Sequence, residues 1–249
     1  MTVSFDVRTS RIYLISDVHI DSEHCDTKLF TQHLEMAKSE GAKVIIGGDL
    51  LDAMQSRHDP RRSMAELKSE LKRDDYADAL VEFAVNLLKP YAQSILALCD
   101  GNHETAIHRY TQSLVLSRIA RELGVAKLPY REMIVLRQGA RQHRIWYAHG
   151  AGSHNAQVTR GIIDVARQSA WIDCDVIWNG HTHTAYVMPF TRFDGAGLRL
   201  VWAIRTPSYL IWTASSTWHD ERALPPQPRG CAVLNLDNDG ITVHMLLRA

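Results

Sequence analysis

Five short segments concentrate side chains able to hold a metal ion: Asp17-Val18-His19, Gly48-Asp49-Leu50-Leu51-Asp52, Gly101-Asn102-His103-Glu104, His149-Gly150 and Gly180-His181-Thr182-His183. Asp, His and Asn without cysteine pair hard oxygen with borderline imidazole, a set suited to Mn, Fe, Zn or Ni rather than to a thiolate-held structural zinc. The seven candidate ligands exceed what one tetrahedral ion with an open position can take, but they fit two ions sharing a carboxylate. Such ions, held about 3.5–4 Å apart, activate a bridging water for in-line attack at phosphorus. Phosphoester hydrolysis is therefore the natural chemistry. The pairs Asp17/His19 and His181/His183 have an i, i+2 spacing, which in extended chain turns both side chains to one face.

Each segment closely follows an apolar run, so the elements that must position these residues are buried strands with polar carboxyl ends. The runs 12–15 and 43–46 flank a helical spacing at 27–40 closed by Gly41, which is a βαβ unit with a parallel pair. A further strand at 94–98 delivers Asn102, and helical stretches are expected at 63–73, 75–88 and 111–123. From there the chain is strand-rich, with strands at 132–137, 144–148, 175–178, 184–191 and 198–204 and a helix at 158–171. Strands at 231–236 and 241–247, joined by Asp-Asn-Asp-Gly, read as a hairpin. The expected fold is α/β (α+β): two sheets face to face with helices outside, a four-layer αββα sandwich, in one domain over 1–249. Residues 53–75 are a candidate lid or substrate-contact insertion. Ligands in such sheets gather outside the carboxyl ends of the strands.

Composition narrows the classes. With 249 residues, 45% hydrophobic and 22% charged, the chain is a globular domain and not a disordered, collagenous or coiled-coil one. A formal net charge of zero leaves no global field to gather nucleic acid or an anionic membrane. The cysteines Cys25, Cys99, Cys174 and Cys231 lie far apart and read as reduced, mostly buried thiols. Without a signal-length apolar core near the start or an apolar run of about 18 residues, a soluble cytoplasmic protein is expected.

The order Asp-x-His, Gly-Asp-x-x-Asp, Gly-Asn-His-Glu, His-Gly and Gly-His-x-His, running from Asp17 to His183, resembles that of the calcineurin-like metallophosphoesterases, in particular their bacterial and phage branches. The resemblance implies the fold of that family and two divalent metal ions, with Mn2+ the first expectation and Fe, Zn or Ni the alternatives. It implies that Asp17, His19, Asp49 and His183 hold one ion, and that Asp49, Asn102, His149 and His181 hold the other, Asp49 bridging. His103 matches the non-ligand histidine that faces the phosphate and stabilises charge or protonates the leaving group, and Asp52 matches the carboxylate that orients it. Glu104 reads as a helix cap or a partner of a backbone amide, and the other eight histidines as surface or buried structural groups.

The protein-phosphatase branch has an arginine directly after its Gly-Asp-x-x-Asp motif, where this chain has Ala53, so a protein phosphatase is not expected. Arg57, Arg61 and Arg62 follow closely and are candidates to clamp a phosphate, set against a solvated helix start. Trp212, Trp218 and Tyr209 read either as a base-stacking wall or as core. The Gly150-Ala151-Gly152-Ser153 run lacks the Walker pattern. The expected activity is a phosphomonoesterase acting on a nucleotide or other small phosphorylated molecule through a metal-bridging water. The alternatives are a phosphodiesterase or nuclease on DNA or RNA, and a non-catalytic scaffold of the same fold. No membrane partner is expected, and the oligomeric state stays open.

Overall fold

The computed structural model describes residues 2–54, 59, 66–150, 167–193, 195, 197–211, 226–237 and 240–249. Strands β1 (Thr2–Asp6), β2 (Arg11–Ile15), β3 (Lys43–Ile46), β4 (Ile95–Cys99), β5 (Ala126–Leu128), β6 (Arg131–Gln138), β7 (Arg141–Ala148), β8 (Val176–Asn179), β9 (Tyr186–Phe193), β10 (Leu198–Arg205), β11 (Arg229–Asp237) and β12 (Gly240–Arg248) build two mixed sheets. One runs β1-β6-β7-β8-β10-β9 and the other β12-β11-β2-β3-β4-β5. Parallel pairing of β2 with β3, and of β3 with β4, brings three carboxyl ends to one rim, and parallel β7 and β8 do the same in the other sheet. The hairpin expected near the end of the chain is β11–β12, paired from Arg229↔Arg248 to Asp237↔Gly240.

The strand period of two sorts the apolar side chains into two cores. Ile12 and Leu14 of β2, Ile45 of β3 and Ala232 and Leu234 of β11 face the other sheet, where they meet Ile134, Ile145, Tyr147, Val176 and Trp178. Tyr13, Ile15, Val44, Ile46, Cys231 and Val233 point the opposite way, under helices α1 (Thr27–Ser39), α2 (Tyr76–Leu88) and α4 (Val115–Leu123). Helix α1 shows why: Leu29, Phe30, His33, Leu34 and Ala37 form its buried stripe. The Asp26 carboxylate accepts the Leu29 N–H at 3.0 Å to start it, and Gly41 at φ +63° ends it. The outer face of the first sheet is packed by Ile172 and Cys174 against Ile177 and Ala203. The helix expected at 158–171 lies mostly outside the described residues, of which 167–169 are helical. All four cysteines are buried and free. Among the described residues no helix is long and apolar enough to cross a membrane.

Three expectations need correction. The helix at 63–73 is not formed in its described part. There Leu67 bridges Ser22, Glu23 N–H donates to the Glu66 carbonyl and Lys68 N–H to the Asp21 carbonyl, leaving one 3-10 turn at Ser69–Leu71. Long-range pairing outweighs a helical spacing of Leu67 and Leu71. Arg73 accordingly bonds Asp75 rather than Glu70. The helix at 111–123 starts later, as α4, after an additional helix α3 (Asn102–Thr111) that ends at Gln112 in the left-handed region. Strands β1 and β5, at or near sheet edges, were not anticipated.

Truncating the inter-sheet core at Ile45, which is fully buried, is expected to cost about 2–5 kcal/mol as Ile45→Ala. Urea unfolding would show it as a lower midpoint with an unchanged slope.

Candidate metal centre

The five strand ends meet because their loops are tied to one another through main-chain groups. Asp17, His19 and Ile20 donate N–H groups to the carbonyls of Gly48, Asp49 and Leu50 at 3.0, 3.1 and 2.9 Å, lacing the β2 loop to the β3 loop. Glu104, buried in the first turn of α3, accepts the N–H groups of Gly101, Asp49 and Leu51 at 2.8, 3.0 and 3.0 Å and so ties the β3 loop to the β4 loop. Across the sheets, the Asp17 carboxylate accepts the His181 N–H, its oxygens 2.8 and 3.0 Å away; within the first sheet, Gly180 N–H donates to the His149 carbonyl at 2.9 Å and ties the β8 loop to the β7 loop. Gly48 and Gly101 pass back to back, and a Cβ on Gly101 would overlap Asp49. No side chain fits there.

Local strain marks the same residues. Asp17, His19, Asp49, His181 and His183 all have φ between +53° and +70°. For a residue other than glycine this left-handed conformation costs about 1–3 kcal/mol and persists only where surrounding contacts over-determine it. The i, i+2 pairs thus converge through left-handed backbone and not through extended chain as expected from their spacing.

The candidate ligand atoms form three compact groups. Asp17, His19 and His183 make one, Asp49, His149 and His181 a second, and His19, Asp52 and His103 a third, with the atoms of each group within 4.8 Å of one another. His183 Nε2 is 3.5 Å from Asp17 Oδ1, and His149 Nε2 is 3.0 Å from Asp49 Oδ2 and 3.2 Å from Asn102 Oδ1. Both ring nitrogens of His19 and Nδ1 of His149 are buried without an aligned hydrogen bond. A buried polar atom left so costs about 1–3 kcal/mol. Coordination would satisfy one nitrogen of His19, and the Asp/His/Asn donor set suits borderline divalent cations, so the residues fit metal ions. Asn102 thus lies beside the second group, to which Asp49 belongs. Asp49 Oδ1 also accepts the His103 N–H at 3.0 Å, at the start of α3.

The charges are unbalanced without cations. Burial, followed by neighbouring Asp49, pushes the Asp17 carboxyl above its usual range despite the opposing pull of His149. Burial also works to raise Asp49, yet His149 and His103 hold it well below. His19 and His149 resist protonation through burial, but the nearby carboxylates outweigh that and raise both to about 9.

His103, in the third group, sits beside the other two, its ring edge-on to His19 with centroids 4.9 Å apart and its Nε2 3.8 Å from Asp49 Oδ2. Its Nδ1 is 2.5 Å from the Asp52 main-chain carbonyl. The Asp52 carboxylate is 3.6 Å from that nitrogen and 3.2 Å from His19 Nδ1. Asp52 therefore meets His103 chiefly through its backbone, while its side chain leans toward a candidate ligand. Arg57, Arg61 and Arg62 lie outside the described residues, as do Trp212 and Trp218. Tyr209 is core: fully buried, edge-on to Phe30 and bonded to His33 at 2.8 Å. Asp21 is a residue that the sequence reading passed over. Its buried carboxylate accepts from the Asp52 and Ala53 N–H groups and from the Tyr76 hydroxyl. Its i+2 position after His19 was the available signal.

A family model described as calcineurin-like phosphoesterase matches residues 10–185, which contain every candidate ligand. Among solved structures, a predicted phosphoesterase from Streptococcus pneumoniae TIGR4 is similar over 96% of this chain and 89% of its own, at 15% identity and a TM-score of 0.43. A metallophosphoesterase from Sphaerobacter thermophilus covers the same shares at 14% identity and 0.43. Zinc-complexed Vps29 from Entamoeba histolytica is similar over 95% of this chain and 98% of its own, at 12% and 0.41. No curated protein matches the chain.

Two outcomes are expected. Gly101→Ala should lower metal content and melting temperature together, measured by elemental analysis and calorimetry, because the new methyl displaces Asp49. Metal uptake at pH 7 should release protons, since His19 and His149 are protonated below about 9 and ligands bind deprotonated. Titration calorimetry in buffers of different ionisation enthalpy measures that release, and affinity should rise with pH toward 9. The metal-free protein should behave oppositely: the stabilisation from these raised histidines is full below their unfolded value and is lost as pH climbs through about 9.

Proposed function

The chain belongs to the calcineurin-like phosphoesterase family, and from that premise we propose that it is a dinuclear-metal-dependent phosphoester hydrolase. The proposed substrate is a phosphomonoester of a nucleotide or other small molecule. The observation that carries this reading is the pair of adjacent ligand groups, Asp17/His19/His183 and Asp49/His149/His181. Two bound divalent ions would supply Lewis acidity at the phosphoryl oxygens and an activated water nucleophile. Mn2+ is the first choice, with Fe, Zn or Ni as alternatives.

In this reading the chain's own residues do the rest. Asp49, a member of the second group, is fixed from both sides, by Glu104 on its main-chain N–H and by His103 N–H on its carboxylate. His103 presents Nε2 to the site and holds a proton for the leaving alkoxide, worth about 10²–10⁴-fold in rate for a positioned general acid. Ala53 is fully buried and contributes no phosphate grip, in line with a small substrate and not a phosphoprotein. The zero net charge supports a compact substrate over a long nucleic acid, which would require a basic track. Residues 53–75 are assigned to substrate contact. Their described end is bonded to the 20–23 loop beside the ligands, and Arg57, Arg61 and Arg62 are the candidate phosphate clamp.

The test is hydrolysis of matched aryl monoester, aryl diester, nucleotide and single-stranded DNA substrates by Mn-loaded and metal-stripped protein. Metal-dependent turnover with the monoester or nucleotide preferred is the expected result. Preference for diester or DNA would shift the assignment to a phosphodiesterase or nuclease, and no turnover at all would favour a scaffold. His103→Ala should keep its metals and lose about 10²–10⁴-fold in kcat; an unchanged kcat would remove His103 from the mechanism.

A further inference from the structure

We propose that Asp21 and Tyr76, neither of them in a ligand group, are positioning residues that act on the reaction through the main chain of Asp52 and Ala53. This rests on His103 as the proton donor. Asp21 is fully buried. Its Oδ1 accepts the Asp52 N–H at 2.5 Å, and its Oδ2 accepts both the Ala53 N–H and the Tyr76 hydroxyl at 2.9 Å. Ala53, at φ +50°, is in the left-handed region, so the 52–53 peptide is held in a costly shape by those bonds.

What that shape accomplishes is visible one atom further on. The Asp52 carbonyl is turned to His103 Nδ1 at 2.5 Å. A carbonyl has only lone pairs to offer, so Nδ1 must carry the hydrogen. Nε2, on the metal-group side of the ring and 3.8 Å from Asp49 Oδ2, is then the nitrogen turned to the site. The tautomer and the aim of the ring are thus set by a backbone carbonyl, and the carbonyl is set by Asp21. The Asp21 main chain is itself fixed by Lys68, whose N–H donates to the Asp21 carbonyl at 3.0 Å and whose Nζ donates to the Ile20 carbonyl at 2.7 Å. Tyr76 opens α2, so the orientation of the donor is anchored to a helix outside the ligand loops.

Proton donation matters most when the departing alkoxide is a poor leaving group, and a fold defect does not discriminate by leaving group. Asp21→Asn places an amide N–H against a main-chain N–H. Tyr76→Phe removes one bond with no change of shape, and so preserves the test if the first variant misfolds. Two esters of the class turned over by the wild type are compared, one leaving as 2,4-dinitrophenolate and one as an alkyl alcohol. Both variants should retain wild-type metal content, lose about tenfold or more in kcat on the alkyl ester, and lose far less on the dinitrophenyl ester. Asp21→Asn in a His103→Ala background should add little, because both act through one group. Equal losses on both esters, or full additivity with His103→Ala, would overturn the proposal. If His103→Ala itself shows no dependence on leaving group, the donor assignment falls first and the positioning role falls with it.

Discussion

One buried carboxylate holds the site in register. Glu104 takes three main-chain N–H groups, from Gly101, Asp49 and Leu51, and so joins the ends of two parallel strands at the point where their loops separate. Burial and the nearby Asp49 push its carboxyl up to about 7, yet each of those N–H groups would otherwise be an orphan donor in the interior. The close passage of Gly48 and Gly101 and the left-handed turn at Asp49 both depend on that bond set. Asp21 repeats the device on the next loop and Asp17 repeats it across the sheets. Carboxylates here serve as splints for the backbone as much as ligands.

That arrangement gathers like charges. Asp17, Asp49 and Glu104 are nearly or fully buried together, with Asp21 and Asp52 close by. Protonated His19 and His149 offset part of this, and bound divalent cations would offset more while inverting the local preference for protons. The formal zero of the whole chain hides this local polarity.

Much of this was legible in the sequence. Strand β3 and helix α1 follow from short apolar runs and a helical stripe closed by Gly41, and the ligand segments stand where buried strands empty. Helix α3 was not legible because its burial is narrow: Glu104 and Ile107 are its buried residues, too few to print a period. The 63–73 helix was misread because Leu67 and Leu71, both buried, share a helical spacing while answering to different neighbours. Strand β1 is only half-buried, and its pairing to β6 connects residues about 130 positions apart, which no local pattern reports. The bonds of Asp21 and Glu104 are three-dimensional facts; sequence offered for Glu104 only the alternatives of cap or amide partner, and it is both.

The groups Asp17/His19/His183 and Asp49/His149/His181 each draw on both sheets. Asp17 and His19 follow β2 while His183 follows β8, and Asp49 follows β3 while His149 and His181 follow β7 and β8. An ion in either group is therefore a cross-link over the inter-sheet seam, comparable in effect to a disulfide at one end of a sandwich. Sliding of one sheet over the other would be arrested at the rim that carries the candidate ligands, whereas the opposite rim, with the β6–β7 turn, has no such ligand group among the described residues. The ligand-bearing end of the molecule would then be the more firmly braced one, and loss of metal would be felt as shear along the whole seam.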